Sequence, residues 1–330
     1  MVVRRSRANR LDLLLTPIYA LEMLAFERHL IQVVPPPRSI LHRPPFWELV
    51  SRAGRKTAVV RFRYTFPATG QADYIVSDWI GRDAWSFGGL NPQEAAGSSP
   101  LVWPPSKASE FLEDFSSNVP LDDSLFSTLL PTADRQLLHG TVVDPVQVVR
   151  VSADIDERSF RVSRAILRDE TSLSVLAVYL GGLDGVSHNF WRYRFPEDFS
   201  EDVPTPDEVD RLGPVLDRHL EFLDREIGSL IAAFPAPPNV IVVSDHGFGP
   251  ASHHPMFSGW HGEHGVFIAA GPDVPQRNDH LGVDYVDVVP TILRLLGFRS
   301  PSTMSGHSLV RDRSALPETA ALTGAGRAGS

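Results

Sequence analysis

Three short clusters bring carboxylate and imidazole side chains together: Gly181-Gly182-Leu183-Asp184-Gly185-Val186-Ser187-His188, Ser244-Asp245-His246-Gly247 and His261-Gly262-Glu263-His264-Gly265. Oxygen and nitrogen donors of this kind suit zinc and its first-row neighbours. Asp184 and His188 stand at positions i and i+4. One turn of helix, or a tight loop, would aim both at one ion. Asp245 and His246 are adjacent. In an extended strand they would point to opposite sides, so either both sit on the turn beyond the strand or they serve different ions of a pair. Two ions about 4 Å apart would clamp a phosphoryl group. Each cluster also has a plainer reading. A single His at a strand end is more often a hydrogen-bonded structural residue than a ligand, and Asp before Gly is common turn chemistry. Three such clusters at three strand ends, in the order Asp-x-x-x-His, Asp-His, His, are much harder to obtain by chance.

The elements that must position these groups read as α/β. Residues 173–180 form a continuous apolar run, expected to be a strand buried on both faces and followed by a loop. A long helix follows, with Leu216, Leu220, Leu223, Ile227, Leu230, Ile231 and Phe234 at helical spacing, stopped by residues 235–238. Val240-Ile241-Val242-Val243 is the next buried strand, residues 265–270 another, and residues 287–296 a helix ended by Gly297. Upstream, residues 143–167 are amphipathic and helical, residues 57–62 read as a strand, and residues 46–54 as a short helix. Strand–helix–strand alternation implies a largely parallel central sheet sandwiched by helices. The loops after its strand ends form the site. Asp184, His188, Asp245, His246 and His261 are therefore expected to converge at one sheet edge.

Residues 1–43 read as an N-terminal helical segment, 44–312 as the α/β domain with a cap-like insertion at about 64–145, and 313–330 as a disordered tail. The apolar run over residues 11–26 carries Asp12 and Glu22 and is too short to span a bilayer. It reads as a surface helix, ended by Pro35-Pro36-Pro37, with a membrane-surface helix as the alternative. With 330 residues at 42% hydrophobic content, the chain can bury a large core. The net charge of -9, with no basic block, argues against a nucleic-acid surface. The sequence has no Cys, which excludes disulfides, thiolate zinc sites and cysteine nucleophiles in this chain.

The order and spacing of the three clusters resemble the type I phosphodiesterase and nucleotide pyrophosphatase branch of the alkaline phosphatase superfamily. Val178 to Trp191 is similar to that family's strand and loop bearing an Asp and a His ligand, and Val242 to Gly249 to its most specific motif. His261 to Pro272 is similar to the segment with its last His ligand, and Val286 to Gly297 to the helix after it. The stretch from Pro44 to Asp78 is a less specific likeness. The resemblance implies an alkaline-phosphatase-like fold and hydrolysis of phosphoesters, phosphodiester or nucleotide pyrophosphate in type. It implies one or two divalent ions, zinc foremost with manganese or iron as alternatives, and a small-molecule phosphoester as the partner. Asp184, His188 and His261 would hold one ion. Asp245 and His246 would contribute to the second. His264 falls where the family often has another polar residue and is not counted as a ligand, while His253 and His254 read as a polar surface loop.

The chain departs from the family at its start. The family begins with a strand ending in an Asp ligand, followed by a Thr or Ser nucleophile at a helix start. Neither motif is visible here, because Asp12 lies inside a helical pattern and Thr16 lacks the expected surroundings. The catalytic nucleophile is therefore unassigned, and the N-terminal strand of the core is expected to be missing. That expectation leaves three readings: a truncated hydrolase, one half of a split enzyme completed by an N-terminal segment, or an inactive metal-binding remnant. A cysteine-derived formylglycine sulfatase is excluded for this chain.

Overall fold

The computed structural model describes residues 41–80, 101–115, 123–138, 144–251, 257–276 and 282–310. Asp12, Thr16, the helix expected over residues 11–26, the proline stop, His253, His254 and the tail lie outside them.

Helix α1 (Phe46–Arg52) buries Trp47, Leu49 and Val50. It ends where Gly54 takes φ 80°, a conformation glycine adopts without a Cβ clash. Strand β1 (Thr57–Val60) is buried along its whole length. It stops short of the expected Phe62 because Arg61 turns to φ 55°. Strands β2 (Tyr74–Val76) and β3 (Val102–Trp103) follow. Both fall in the stretch read as an insertion, yet both belong to the central sheet. Helices α2 (Ala108–Asp114) and α3 (Asp123–Leu129) lead to the long helix α4 (Pro145–Asp169). Asp144 caps α4 by accepting a hydrogen bond from Val146 N at 2.9 Å.

Strand β4 (Val175–Val178) completes a sheet of order β3-β2-β1-β4. β2 and β4 run parallel to β1, and β3 is antiparallel at the far edge. Alternate residues go to opposite faces, as the pleat requires. Ala58, Val60 and Val76 pack with Ile155, Val162, Ala165 and Ile166 of α4. Val59, Ile75 and Ala177 pack on the other side with Trp47 and Phe62. The architecture is thus mixed α/β, a mostly parallel central sheet flanked by helices, in keeping with an alkaline-phosphatase-like fold.

Helix α5 (Gly182–Arg194) starts where a loop was expected. Its Gly-rich start and interspersed polar residues hide the apolar period, and burial of Val186 and Phe190 supplies the stabilisation that local pattern does not. Helices α6 (Pro206–Leu212) and α7 (Pro214–Ala232) close a second core with α3, α4 and α5 through Phe126, Phe160, Phe190, Leu216 and Phe222.

Strand β5 (Val240–Val243) forms where its β-branched run predicts. Two short strands follow, β6 (Phe248–Pro250) and β7 (Gly259–His261), which pair with each other. Strand β8 (Phe267–Ala270) pairs antiparallel with β5, and helix α8 (Val288–Leu295) ends the described core. Burial of β5 differs from expectation: Val243 is 47% exposed and Ile268 on β8 is 57% exposed. Among the described strands β5 is paired only with β8, and β4 only with β1. One edge of each is left without a strand partner among the described residues. An apolar strand with one open edge cannot be covered as a central strand would be.

Candidate metal centre

Asp184 sits in the first turn of α5, just beyond β4, where a carboxylate is favoured by the helix dipole. His188 follows one turn later on the same face and is buried. Its Nδ1 lies 2.8 Å from the carbonyl oxygen of Gly259. A carbonyl can only accept, so Nδ1 carries the proton and the Nε2 lone pair faces the cluster. Phe248, Phe257 and Trp260 pack around this ring with centroids 5.0, 4.9 and 5.2 Å away.

His246 stands on the turn after β5. Its Nδ1 is 3.0 Å from Gly247 O, which leaves its Nε2 lone pair inward by the same argument. His261 ends β7, and its ring stacks on that of His246 with centroids 3.7 Å apart. The close approach of β7 to α5 depends on Gly259: a Cβ there would lie 2.5 Å from Ser187 O and 2.8 Å from Trp191 Cβ. Ser258 reinforces the contact, its N–H donating to His188 O at 2.8 Å.

The result is a carboxylate oxygen ringed by imidazoles. Asp184 Oδ1 is 3.6 Å from His188 Nε2, 3.7 Å from His246 Nε2 and 3.4 Å from His261 Nε2. His188 Nε2 and His261 Nε2 are 3.1 Å apart. Two ligand atoms bound about 2.0–2.1 Å from a tetrahedral ion stand roughly 3.3 Å from each other. The observed spacings have room for one shared ion, and the His188–His261 spacing is equally that of a ring hydrogen bond. Asp184, His246 and His261 offer ligand atoms that all lie within 4.8 Å of one another. Among the described residues Asp184 Oδ1 is also buried without a close hydrogen-bond donor, the nearest being the His261 ring at 3.4 Å. An orphaned buried acceptor is costly unless something electropositive meets it. Burial pushes the Asp184 carboxyl above its usual range, against the opposing pull of His261 and His246. The donor set and the orphaned oxygen thus fit a divalent cation.

Of the five candidates, Asp184, His246 and His261 form the compact group. His188 adjoins it through Asp184 and His261, whereas the Asp245 side chain is 93% exposed and stands at the rim, 3.7 Å from His246 Nε2. The compact group joins Asp184 with His246 and His261, and His246 stands as near to Asp245 as to Asp184, at 3.7 Å from each. His264 supplies its backbone, its carbonyl oxygen sitting 2.5 Å from where a Gly247 Cβ would be.

The residues behind these candidate ligands carry no motif of their own in the sequence. Asp156 of α4 accepts a hydrogen bond from Gly182 N, at the start of α5, at 3.1 Å. Ser258 and Gly259 strap β7 to α5. The available signal was an acidic residue on the apolar stripe of α4, which points to a buried partner without naming it.

A family model described as type I phosphodiesterase / nucleotide pyrophosphatase matches residues 22–286. A stretch of 114 residues is 32% identical to the 2,3-bisphosphoglycerate-independent phosphoglycerate mutase of Paracoccus denitrificans (strain Pd 1222). That match covers 32% of this chain and 22% of the mutase, so it spans about a fifth of that relative's length. No solved structure matches the chain.

Proposed function

The chain belongs to the type I phosphodiesterase / nucleotide pyrophosphatase family, and from that premise we propose that it is the metal-binding part of a metal-dependent phosphoester hydrolase. The observation that carries the reading is Asp184 Oδ1, buried, without a close hydrogen-bond donor among the described residues and ringed by three imidazole Nε2 atoms at 3.4 to 3.7 Å.

In this reading Asp184, His188 and His261 hold one ion, with His246 close enough to join them. Asp245, with His246, contributes to a second, weaker site at the rim. Zinc suits the donors best, with manganese and iron as alternatives. Bound ions would neutralise phosphoryl oxygens and lower the pKa of an attacking hydroxyl or water. The chain's own contribution is positional. The carbonyls of Gly259 and Gly247 fix the His188 and His246 tautomers. The aromatic rings of Phe248, Phe257 and Trp260 exclude water from one side of His188. The substrate is a small phosphoester, phosphodiester or nucleotide pyrophosphate in type.

The nucleophile comes, in this proposal, from a complementing segment that also adds a strand. Support lies in the edges of β4 and β5 that have no strand partner among the described residues and in the exposed Val242, Val243 and Ile268. Both strands end at the same ligand cluster, so a strand lying between them would end there too. The alternative is a metal-binding protein without catalysis.

Metal analysis after dialysis tests the first part: close to one zinc per chain is expected, and none would refute the metal site. Hydrolysis of an aryl phosphodiester separates the rest. Very low turnover by the chain alone is expected, rising on addition of a strand-bearing segment in trans. Robust turnover by the chain alone, abolished by His261→Ala, would overturn the complementation reading.

A further inference from the structure

Behind the ligand cluster lies a second group of polar side chains that the proposed chemistry does not use. Ser152 and Asp156 project from α4 and His219 from α7, and all three are buried. Asp156 Oδ2 is 3.6 Å from His219 Nε2. Ser152 Oγ, Asp156 Oδ1 and both ring nitrogens of His219 have no hydrogen-bond partner among the described residues. The group closes around Gly182, whose missing Cβ would lie 2.3 Å from Asp156 Oδ2, 2.7 Å from Ser152 O and 3.0 Å from His219 Nε2.

A carboxyl buried between helices loses several kcal/mol of solvation, an expense to be offset by specific partners. Here the offset comes from the N-terminus of α5. Its first N–H donates to Asp156 Oδ2, and its dipole favours an acidic group at that end. His219 flanks the same oxygen from the opposite helix. The two residues of α5 that face the ligand cluster, Asp184 and His188, lie within the two turns after this anchored N–H.

We propose that Asp156 and His219 form a buried positioning pair that fixes the axial rotation and height of α5, and so aims Asp184 and His188 at the ion. The inference rests on the metal-site reading above. It goes beyond it by assigning a function to side chains that touch neither ion nor substrate. Rotation about the helix axis is the sensitive coordinate. Asp184 and His188 share one face, so a small turn moves both ligand atoms off the ion together.

The test combines Zn²⁺ affinity by calorimetry, the visible absorption spectrum of bound Co²⁺, and hydrogen exchange of the α5 amides in the metal-free chain. Asp156→Ala should weaken Zn²⁺ by about 10–100-fold, the usual cost of losing a supporting partner. It should also shift the Co²⁺ spectrum and speed exchange at residues 182–188 ahead of the rest of the molecule. Asp156→Asn keeps an acceptor for Gly182 N and should restore most of the affinity. Val149→Ala, in the same helix and equally buried, should lower stability with no spectral change. If Asp156→Ala binds Zn²⁺ with wild-type affinity and spectrum, or if Val149→Ala shifts both as much, the proposal is overturned. Should the wild type bind no Zn²⁺, the metal-site reading fails by itself. The positioning claim is then decided by exchange: faster exchange confined to the start of α5 supports it, and an even increase along the chain refutes it.

Discussion

Asp184 is the residue on which the centre turns, and its protonation sets two opposite pH dependences. Burial raises its carboxyl above the usual range, so the folded chain holds this proton more tightly than the unfolded one. In the metal-free protein its contribution to stability is full below the unfolded carboxylate value. That contribution is lost as pH rises through the higher folded value. Asp184→Asn should remove this decline, as followed by denaturant melts of the metal-free chain across mildly acidic pH. Zn²⁺ needs the ionised carboxylate, so its affinity should instead climb with pH over the same window. Asp184→Asn and His261→Ala should each weaken Zn²⁺ by more than the roughly 10–100-fold lost with an outer partner. Retained affinity in His261→Ala would remove that residue from the ligand set. These candidate ligands were legible because Asp and His declare their chemistry by type. Asp156, His219 and Gly259 were not, since their roles arise from contacts between α4, α5, α7 and β7 that lie far apart in the chain.

At the scale of elements, the seat of the centre is the contact between α5 and β7. Gly259→Ala would set a Cβ 2.5 Å from Ser187 O, which is backbone and cannot swing aside. The strand must move away, at a cost of roughly 1–3 kcal/mol, taking His261 from His188. Gly249→Ala meets nothing within 4 Å and is the matched control. Thermal melts should separate the two variants, and Zn²⁺ affinity should fall in the first alone. Equal behaviour would show that β7 tolerates displacement. The strands β4 and β5 could be read from their apolar runs, but their exposure could not, because a local pattern does not say which neighbours are present. β6 and β7 are too short for a period of two to emerge. Helix α5 lacked a clear apolar period and owes its form to tertiary packing.

Across the whole molecule, β4 and β5 each have one edge without a strand partner among the described residues. Such edges, with exposed Val242, Val243 and Ile268 on β5 and β8, invite association with other strands. Sedimentation of the chain alone should show concentration-dependent self-association, reduced by Val243→Lys. A monomer at all concentrations would mean that these edges are covered in solution. The cluster at the end of these strands draws its groups from residues 184, 188, 246 and 261, behind which stand residues 156 and 219. An unfolded chain can offer an ion the neighbouring Asp184 and His188, but the remaining imidazoles arrive only once distant segments have closed on one another. An ion therefore has little to grip early in folding and much to hold late. Zn²⁺ should leave the refolding rate nearly unchanged while slowing unfolding, so that its stabilisation appears in the unfolding arm of a chevron plot.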